Sequence, residues 1–257
     1  MEHSGTGDPD RILPLLWRHH ATSPDRPAAG RRPKLTVDDV VGTAIAIADA
    51  DGLAAVSMNR VATALGVGTM TLYTYAPSKG ELLDLMVDAL LVAKALPAPG
   101  EPRPASWREQ IELYAKATLA QYHQHPWLGQ ISTVRPPIGP GMLADSEYVL
   151  STLVDLQLSA RETTAAAEAI TTFVTATAAT ESEAADLERR TGQTNDAWWG
   201  DRDRLWRDYF DPKRHPTMNA VWNAGGFDSS TEQAMSGAHA FGLARLLDGI
   251  EAGSFET

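Results

Sequence analysis

The chain has 257 residues, of which 43% are hydrophobic and 21% charged, with a net charge of −11 and no cysteine. This composition supports a sizeable core and excludes wholesale disorder, and the absent thiols exclude disulfides, thiolate zinc sites and a cysteine nucleophile. No basic start followed by an apolar run marks a signal peptide, and no apolar stretch approaches the ~20 residues of a membrane span, so a soluble cytoplasmic protein without a membrane partner is expected.

The acidity is uneven. Residues 1–30 carry −1, residues 31–96 carry −1 and residues 97–257 carry −9. The front of the chain thus keeps a local cluster of cations, Arg31, Arg32, Lys34, Arg60 and Lys79, and local sign decides what a surface attracts.

Residues 1–30, punctuated by Pro and Gly, read as an N-terminal arm. It is expected to be mobile except for one apolar patch, Ile12 to Trp17, able to dock as a helical turn. From Leu35 the helical signals are dense. Thr36 caps a helix with Asp38 and Asp39 at its positive end, and Leu35 and Val40 have hydrophobic-staple spacing. Val37, Val40, Val41, Ala44, Ile45 and Ala48 form one apolar stripe, closed by Gly52. Ser57 caps a second helix that buries Val61, Ala62 and Leu65 and stops at Gly66. A short third helix runs from about Gly68 to Tyr75. Pro77 breaks the chain, and Ser78 with Glu81 opens a fourth helix with Leu82, Leu83, Met86, Val87, Leu90 and Leu91 inward.

The stretch PAPGEPRP (Pro97–Pro104) marks a boundary between a segment 31–96 and a segment 97–257. Beyond it Ser106 and Glu109 open a helix that stops near Pro126. RPPIGPG (Arg135–Gly141) is a rigid turn, followed by a helix from about Met142 to Leu156. Ser159 and Glu162 open a long Ala/Thr-rich helix to about Arg190. Residues 191–228 are irregular, with room for one helix around Arg204. Ser229 and Glu232 open a last helix. Without a strand run or an internal repeat, the expected fold is all-α: a three-helix helix-turn-helix domain followed by a larger helical domain.

The second and third helices are joined by a tight turn containing Gly, a layout that holds a short helix clear of the core for a DNA major groove. Thr69, Met70 and Tyr73 share one helical face, with Thr74 at its edge. Thr69 suits a base edge or a phosphate, and Met70 a thymine methyl. The hydroxyls of Tyr73 and Tyr75 and the ammonium of Lys79 suit phosphates. Lys79 also stands in the first turn of the fourth helix, where free N–H groups attract phosphate. Arg31, Arg32 and Lys34 are placed for backbone or minor groove. Spacing alone also leaves open a core role for Tyr73.

The stretch LTVDDVVGTAIAIADADGLAAVSMNRVATALGVGTMTLYTYAPSKGELLDLM resembles the N-terminal domain of the TetR family of bacterial repressors. VRPP after an HPW turn and the terminal FGLARLLDGIE resemble the subgroup of the tetracycline repressor itself. The resemblance implies that Thr69, Met70, Tyr73, Thr74, Tyr75 and Lys79 face DNA, with Ser57, Asn59 and Arg60 at the second helix. Asn59 stands where the tetracycline repressor has a base-reading arginine, so a different operator is implied, though Asn still reads adenine.

The resemblance also implies a homodimer paired through helices 160–190 and 230–251, reading a roughly palindromic duplex. Small residues on those helices (Ala165, Ala169, Thr172, Ala176, Ala179; Ala234, Gly237, Ala238) agree with close helix approach, and suit intramolecular packing as well. A pocket for a small organic inducer is expected in the same segment. Candidate liners are Trp107, Tyr114, Trp127, Met142, Tyr148, Phe173, Trp198, Trp199 and Trp222, with Gln130, Thr133 and Arg135 as polar members. Each aromatic alone reads as core more readily than as ligand wall. The tetracycline repressor's metal-binding histidine falls on Ile131, which disfavours a magnesium-chelated drug; no metal or other cofactor is expected. His123 and His125, two apart, point to different helix faces. An enzyme is not expected, since no G-x-S-x-G, H-E-x-x-H, P-loop or dinucleotide motif occurs. The expected function is a DNA-binding repressor released by a ligand. A regulator without ligand response, an activator, or a purely structural helical protein are the alternatives.

Overall fold

The computed structural model describes residues 2–5, 7–20, 35–94 and 96–253, which form an all-α chain with one two-residue strand pair. Strand β1 (Glu2–His3) precedes α1 (Pro9–Leu16), which is capped by the Asp8 carboxylate accepting the Asp10 N–H. Ile12 and Leu16 stand four apart on one face of α1 and are buried. The apolar patch therefore docks, and residues 2–5 and 7–20 lie against the body instead of forming a mobile arm. Arg31, Arg32 and Lys34 lie outside the described residues.

Next come α2 (Val37–Asp51), α3 (Met58–Ala64), α4 (Thr69–Leu72) and α5 (Lys79–Ala93). The expected caps act as such. Thr36 and Asp39 form a reciprocal capping box, Ser57 accepts the Arg60 N–H, and Ser78 accepts the N–H groups of Gly80 and Glu81. The chain leaves α3 through Gly66 at φ +68°, with the Val67 N–H closing onto the Ala62 carbonyl at 3.0 Å. That left-handed glycine sets the tight turn into α4.

α5 is buried on nearly all sides. Leu82, Leu83, Leu85, Met86 and Val87 are each at most 3% exposed, and each such side chain contributes about 1.5–3 kcal/mol of burial. Its acids Glu81, Asp84 and Asp88 are buried too. α1 covers one side of α5 and the start of α7 (Pro140–Leu153) another.

After α5 the chain forms α6 (Trp107–Gln124), a tight turn Pro126–Gln130 and strand β2 (Ile131–Ser132), which pairs in parallel with β1. α8 (Ala160–Thr191) begins with the Ser159/Glu162 capping box and ends at left-handed Gly192. The region expected to be irregular holds α9 (Asn195–Gly200), a π-helical turn Leu205–Tyr209 and α10 (Pro216–Asn223). α11 (Thr231–Gly253) closes the chain. Its cap pair is Ser230 and Gln233, one residue on from the expected Ser229 and Glu232. Among the described residues no helix is long and apolar enough to cross a membrane.

Among the described residues two hydrophobic cores result. The second, with Ile111, Tyr114, Tyr148, Ile170, Val174 and Leu247, joins α6, α7, α8 and α11. The first is built on α1 to α5 but also contains Trp127, Leu128 and Ile131. The Pro-rich stretch 97–104 is thus a boundary along the chain but not a boundary of the first core.

Candidate nucleic-acid interface and effector cavity

α4 is a single turn whose last bonds tighten, with the Thr74 N–H reaching Thr71 and the Tyr75 N–H reaching Leu72. Leu72 and Ala76 are fully buried and pin it to the first core. On the opposite face Met70 is 79% exposed and Tyr73 is 41% exposed. An isolated methionine so exposed has no packing role in the chain that carries it, so the residue is free to contact another molecule.

Thr69 donates its hydroxyl to Asn59 Oδ1 at 3.4 Å, linking the start of α4 to α3. Thr74 is exposed and donates its hydroxyl to the Thr71 carbonyl at 2.6 Å. Three expected residues are engaged within the chain. Tyr75 is half-buried against the first core, since residues two apart on a helical turn point to different sides. The Ser57 hydroxyl is engaged as the α3 cap, and the exposed Arg60 is ion-paired with Asp51. Lys79 opens α5 at the edge of this face, with Nζ 2.8 Å from Glu2 Oε1. That hydrogen bond holds the Glu2 carboxyl below its ordinary pKa.

α5 carries this face into the rest of the molecule. Asp88 Oδ1 accepts the N–H groups of Gly141 (2.9 Å) and Met142 (3.1 Å), so the carboxylate caps the positive end of α7. Burial nevertheless raises the Asp88 pKa, against those two bonds. The approach is close: a Cβ on Gly141 would lie 2.4 Å from the Asp88 carbonyl oxygen. A second tie runs from α2, where Asp49 Oδ1 accepts the Trp127 indole N–H at 2.6 Å and lies 2.7 Å from His125 Nδ1.

The far end of α5 walls a cavity of about 120 Å³, with Leu91, Leu96, Pro99, Arg103, Asp145 and Tyr148 among its lining. Behind it the Lys94 ammonium, only 3% exposed, pairs with Asp145 at 2.5 Å. The Tyr114 hydroxyl donates to the other Asp145 oxygen at 3.0 Å, and Lys94 Nζ sits 4.6 Å from the Tyr114 ring centroid. Burial and the adjacent carboxylate push the Tyr114 phenol well above its ordinary pKa, and burial takes Tyr122 to about 12. Arg103 stacks over Tyr148, 4.7 Å from the centroid, and donates to Ser151 at 2.7 Å.

Of the expected pocket residues, Tyr148 lines this cavity and Tyr114 stands behind it. Trp107 packs half-buried on the second core, while Met142 is half-buried at the start of α7. Phe173 belongs to an open groove between α8 and α11, with Met235 and His239. Trp127 belongs to the first core, pulled there by its bond to Asp49. Gln130, Thr133 and Arg135 are exposed, as are Trp198, Trp199 and Trp222 on the segment between α8 and α11. Counting aromatics did not separate these environments. Lys94, Arg103 and Asp145 carry no sequence signal beyond a lone lysine ending an apolar helix.

Two family models match the sequence. Residues 40–86 match the model of bacterial regulatory proteins of the tetR family, and residues 97–253 match the tetracyclin repressor-like C-terminal domain. The chain is 38% identical over 250 residues to the HTH-type transcriptional repressor DrrR1 of Streptomyces coeruleorubidus, covering 97% of this chain and 88% of that one. Among solved structures, apo ActR of Streptomyces coelicolor superposes with a TM-score of 0.70 at 27% identity, covering 88% of this chain and 99% of ActR. ActR in complex with actinorhodin gives a TM-score of 0.70 at 28% identity, covering 86% and 99%.

Proposed function

The chain belongs to the TetR family of bacterial transcriptional regulators, and from that premise we propose that it is a cytoplasmic homodimeric repressor released from a palindromic operator by a small organic ligand. The observation that carries the DNA reading is Met70, 79% exposed on a helix whose other face is fixed by the fully buried Leu72. Met70, Tyr73, Thr69 and Asn59 read the groove, and Lys79 and the Tyr73 hydroxyl hold phosphate. Thr74 and Arg60 add contacts at the edges of this face, and the cations Arg31, Arg32 and Lys34 suit the DNA backbone or minor groove.

Two faces support pairing. Ala165, Ala169, Thr172 and Ala176 on α8, and Ala234, Ala238 and Phe241 on α11, are exposed in the single chain. Small residues there let the helices of a second copy approach closely, and pairing covers Phe241, which is 68% exposed.

The ligand reading rests on the cavity at the end of α5. Its 120 Å³ is well below the ~300 Å³ of a usual ligand site. An organic ligand must therefore open it, moving the 96–103 segment and α7 away from α5. Asp88 passes that displacement to α5, whose first turn carries Lys79. A ligand that prefers the opened form lowers operator affinity by its differential binding to the two forms.

Fluorescence anisotropy with labelled DNA from upstream of the protein's own coding sequence tests the reading. The dimer is expected to bind, and Met70→Ala to weaken binding at least tenfold with unchanged far-UV dichroism. Equal binding by the variant removes α4 as the reading element.

A further inference from the structure

Residues 2–5 belong to neither the helix-turn-helix nor the cavity, yet they are fitted closely between α5 and the stretch 131–135. Glu2 pairs opposite Ile131 and His3 opposite Ser132. Ser4 is buried, its N–H donating to the Ser132 carbonyl at 3.1 Å and its hydroxyl to the Arg135 carbonyl at 2.8 Å. The Gly5 N–H then donates to the Asp84 carboxylate of α5 at 2.7 Å. Gly5 has φ +66°, and a Cβ there would lie 2.5 Å from the Arg135 carbonyl oxygen. Only glycine fits this seat, both in conformation and in space. Further along, α1 packs on α5 and the Trp17 indole N–H donates to the Ile138 carbonyl at 2.9 Å.

This seat delivers one charge to the DNA face. Glu2 Oε1 is 2.8 Å from Lys79 Nζ, and both side chains remain partly in water, at 46% and 34% exposure. A carboxylate at that distance takes the position a phosphate oxygen would occupy on the same ammonium. The partial exposure leaves the pair open to exchange.

We propose that residues 2–5 are a self-inhibitory strap: seated between β2 and α5, they hold Lys79 on Glu2 and withhold it from the DNA backbone until phosphate displaces the carboxylate. The inference rests on the proposed reading of Lys79 as a phosphate contact. The strap is anchored on 131–135, directly after the Trp127 turn, so a shift of that turn against α5 alters the hold on Lys79. The strap thus sets basal DNA affinity and couples it to the larger helical region.

The test is a salt series of anisotropy titrations with full-length protein. It uses a labelled duplex from upstream of the coding sequence and a scrambled duplex of equal length, since a phosphate contact is independent of sequence. Glu2→Gln is expected to tighten binding to both duplexes about 2–5-fold at low salt, the range of an exposed ion pair. The slope of log affinity against log salt is expected to stay near the parent's, because Lys79 meets phosphate in both complexes and only the cost of displacing Glu2 is removed. Gly5→Val, which unseats the strap without touching its charge, is expected to give the same gain. In a Lys79→Gln background, Glu2→Gln is expected to add nothing. If Lys79→Gln weakens binding while Glu2→Gln matches the parent in affinity, the strap is overturned and the DNA face stands. If Lys79→Gln matches the parent, the reading of Lys79 falls and the strap with it. A gain from Glu2→Gln that persists without Lys79 also overturns the strap.

Discussion

Replacing Asp84 by asparagine removes a buried charge while keeping an oxygen to accept the Gly5 N–H. Asp84 is 1% exposed, and burial raises its pKa from 3.8 to about 6, against the Gly5 bond and reinforced by nearby Glu81. An acid with a raised folded pKa holds its proton more tightly in the folded chain than in the unfolded one. It costs nothing well below pH 3.8, and its cost to stability grows as pH rises through the folded value. A shift of that size corresponds to about 3 kcal/mol in full, of which about 2 kcal/mol falls between pH 4.5 and pH 7.5. Solvent screening from the side of the thin covering strap trims the expected change to about 1–2 kcal/mol. The assay is urea unfolding of parent and Asp84→Asn at both pH values, followed by dichroism. The difference in unfolding free energy should move toward the variant by that amount as pH rises. All other acids are common to both chains and cancel in the difference. A gap that stays constant across this range, or moves the other way, refutes the claim that burial dominates at Asp84.

Leu72→Ala removes the anchor of α4 from a site of 0% exposure and should cost about 2–4 kcal/mol in urea unfolding; a loss below about 1 kcal/mol would mean that α4 is not held by this side chain. Trp127→Phe deletes the indole donor to Asp49 while keeping most of the ring volume. It should lower stability by about 1–3 kcal/mol, the range for a hydrogen bond to a charged group, and Asp49→Asn in the same background should cost less than in the parent, since only the contact with His125 then remains to be weakened. Phe241→Glu places a charge on the exposed face of α11 and should convert the proposed dimer to a monomer in sedimentation velocity at unchanged helicity. A parental sedimentation coefficient for Phe241→Glu would remove α11 from the proposed interface.

The helices were legible because their signals are local. Thr36, Ser57, Ser78, Ser106 and Ser159 each stand one residue before an apolar periodicity, and capping is an interaction over two or three residues. The exposed face of α4 was legible for the same reason: Met70 and Tyr73 lie three apart, and Leu72 falls on the other side of a single turn. The cap of α11 slipped by one residue because Ser229 and Ser230 are adjacent and only the observed bonds choose between them.

Whatever depends on contacts between distant residues was decided by the tertiary structure. Asp84 and Asp88 look like surface acids on a helix until α1 and the start of α7 close over them, and Lys94 looks solvated until Asp145, 51 positions away, reaches it. The aromatics after residue 100 are alike in sequence. Trp127 is taken by the first core through Asp49, Tyr148 is turned into a cavity, and Trp198, Trp199 and Trp222 stay in water. Periodicity determines which face of a helix is apolar, so the sequence by itself determined that this chain builds helices and offers Met70 outward. It carries no record of which other segment arrives to cover a charge, and so only the packed structure could bring Glu2 to Lys79, 77 positions away.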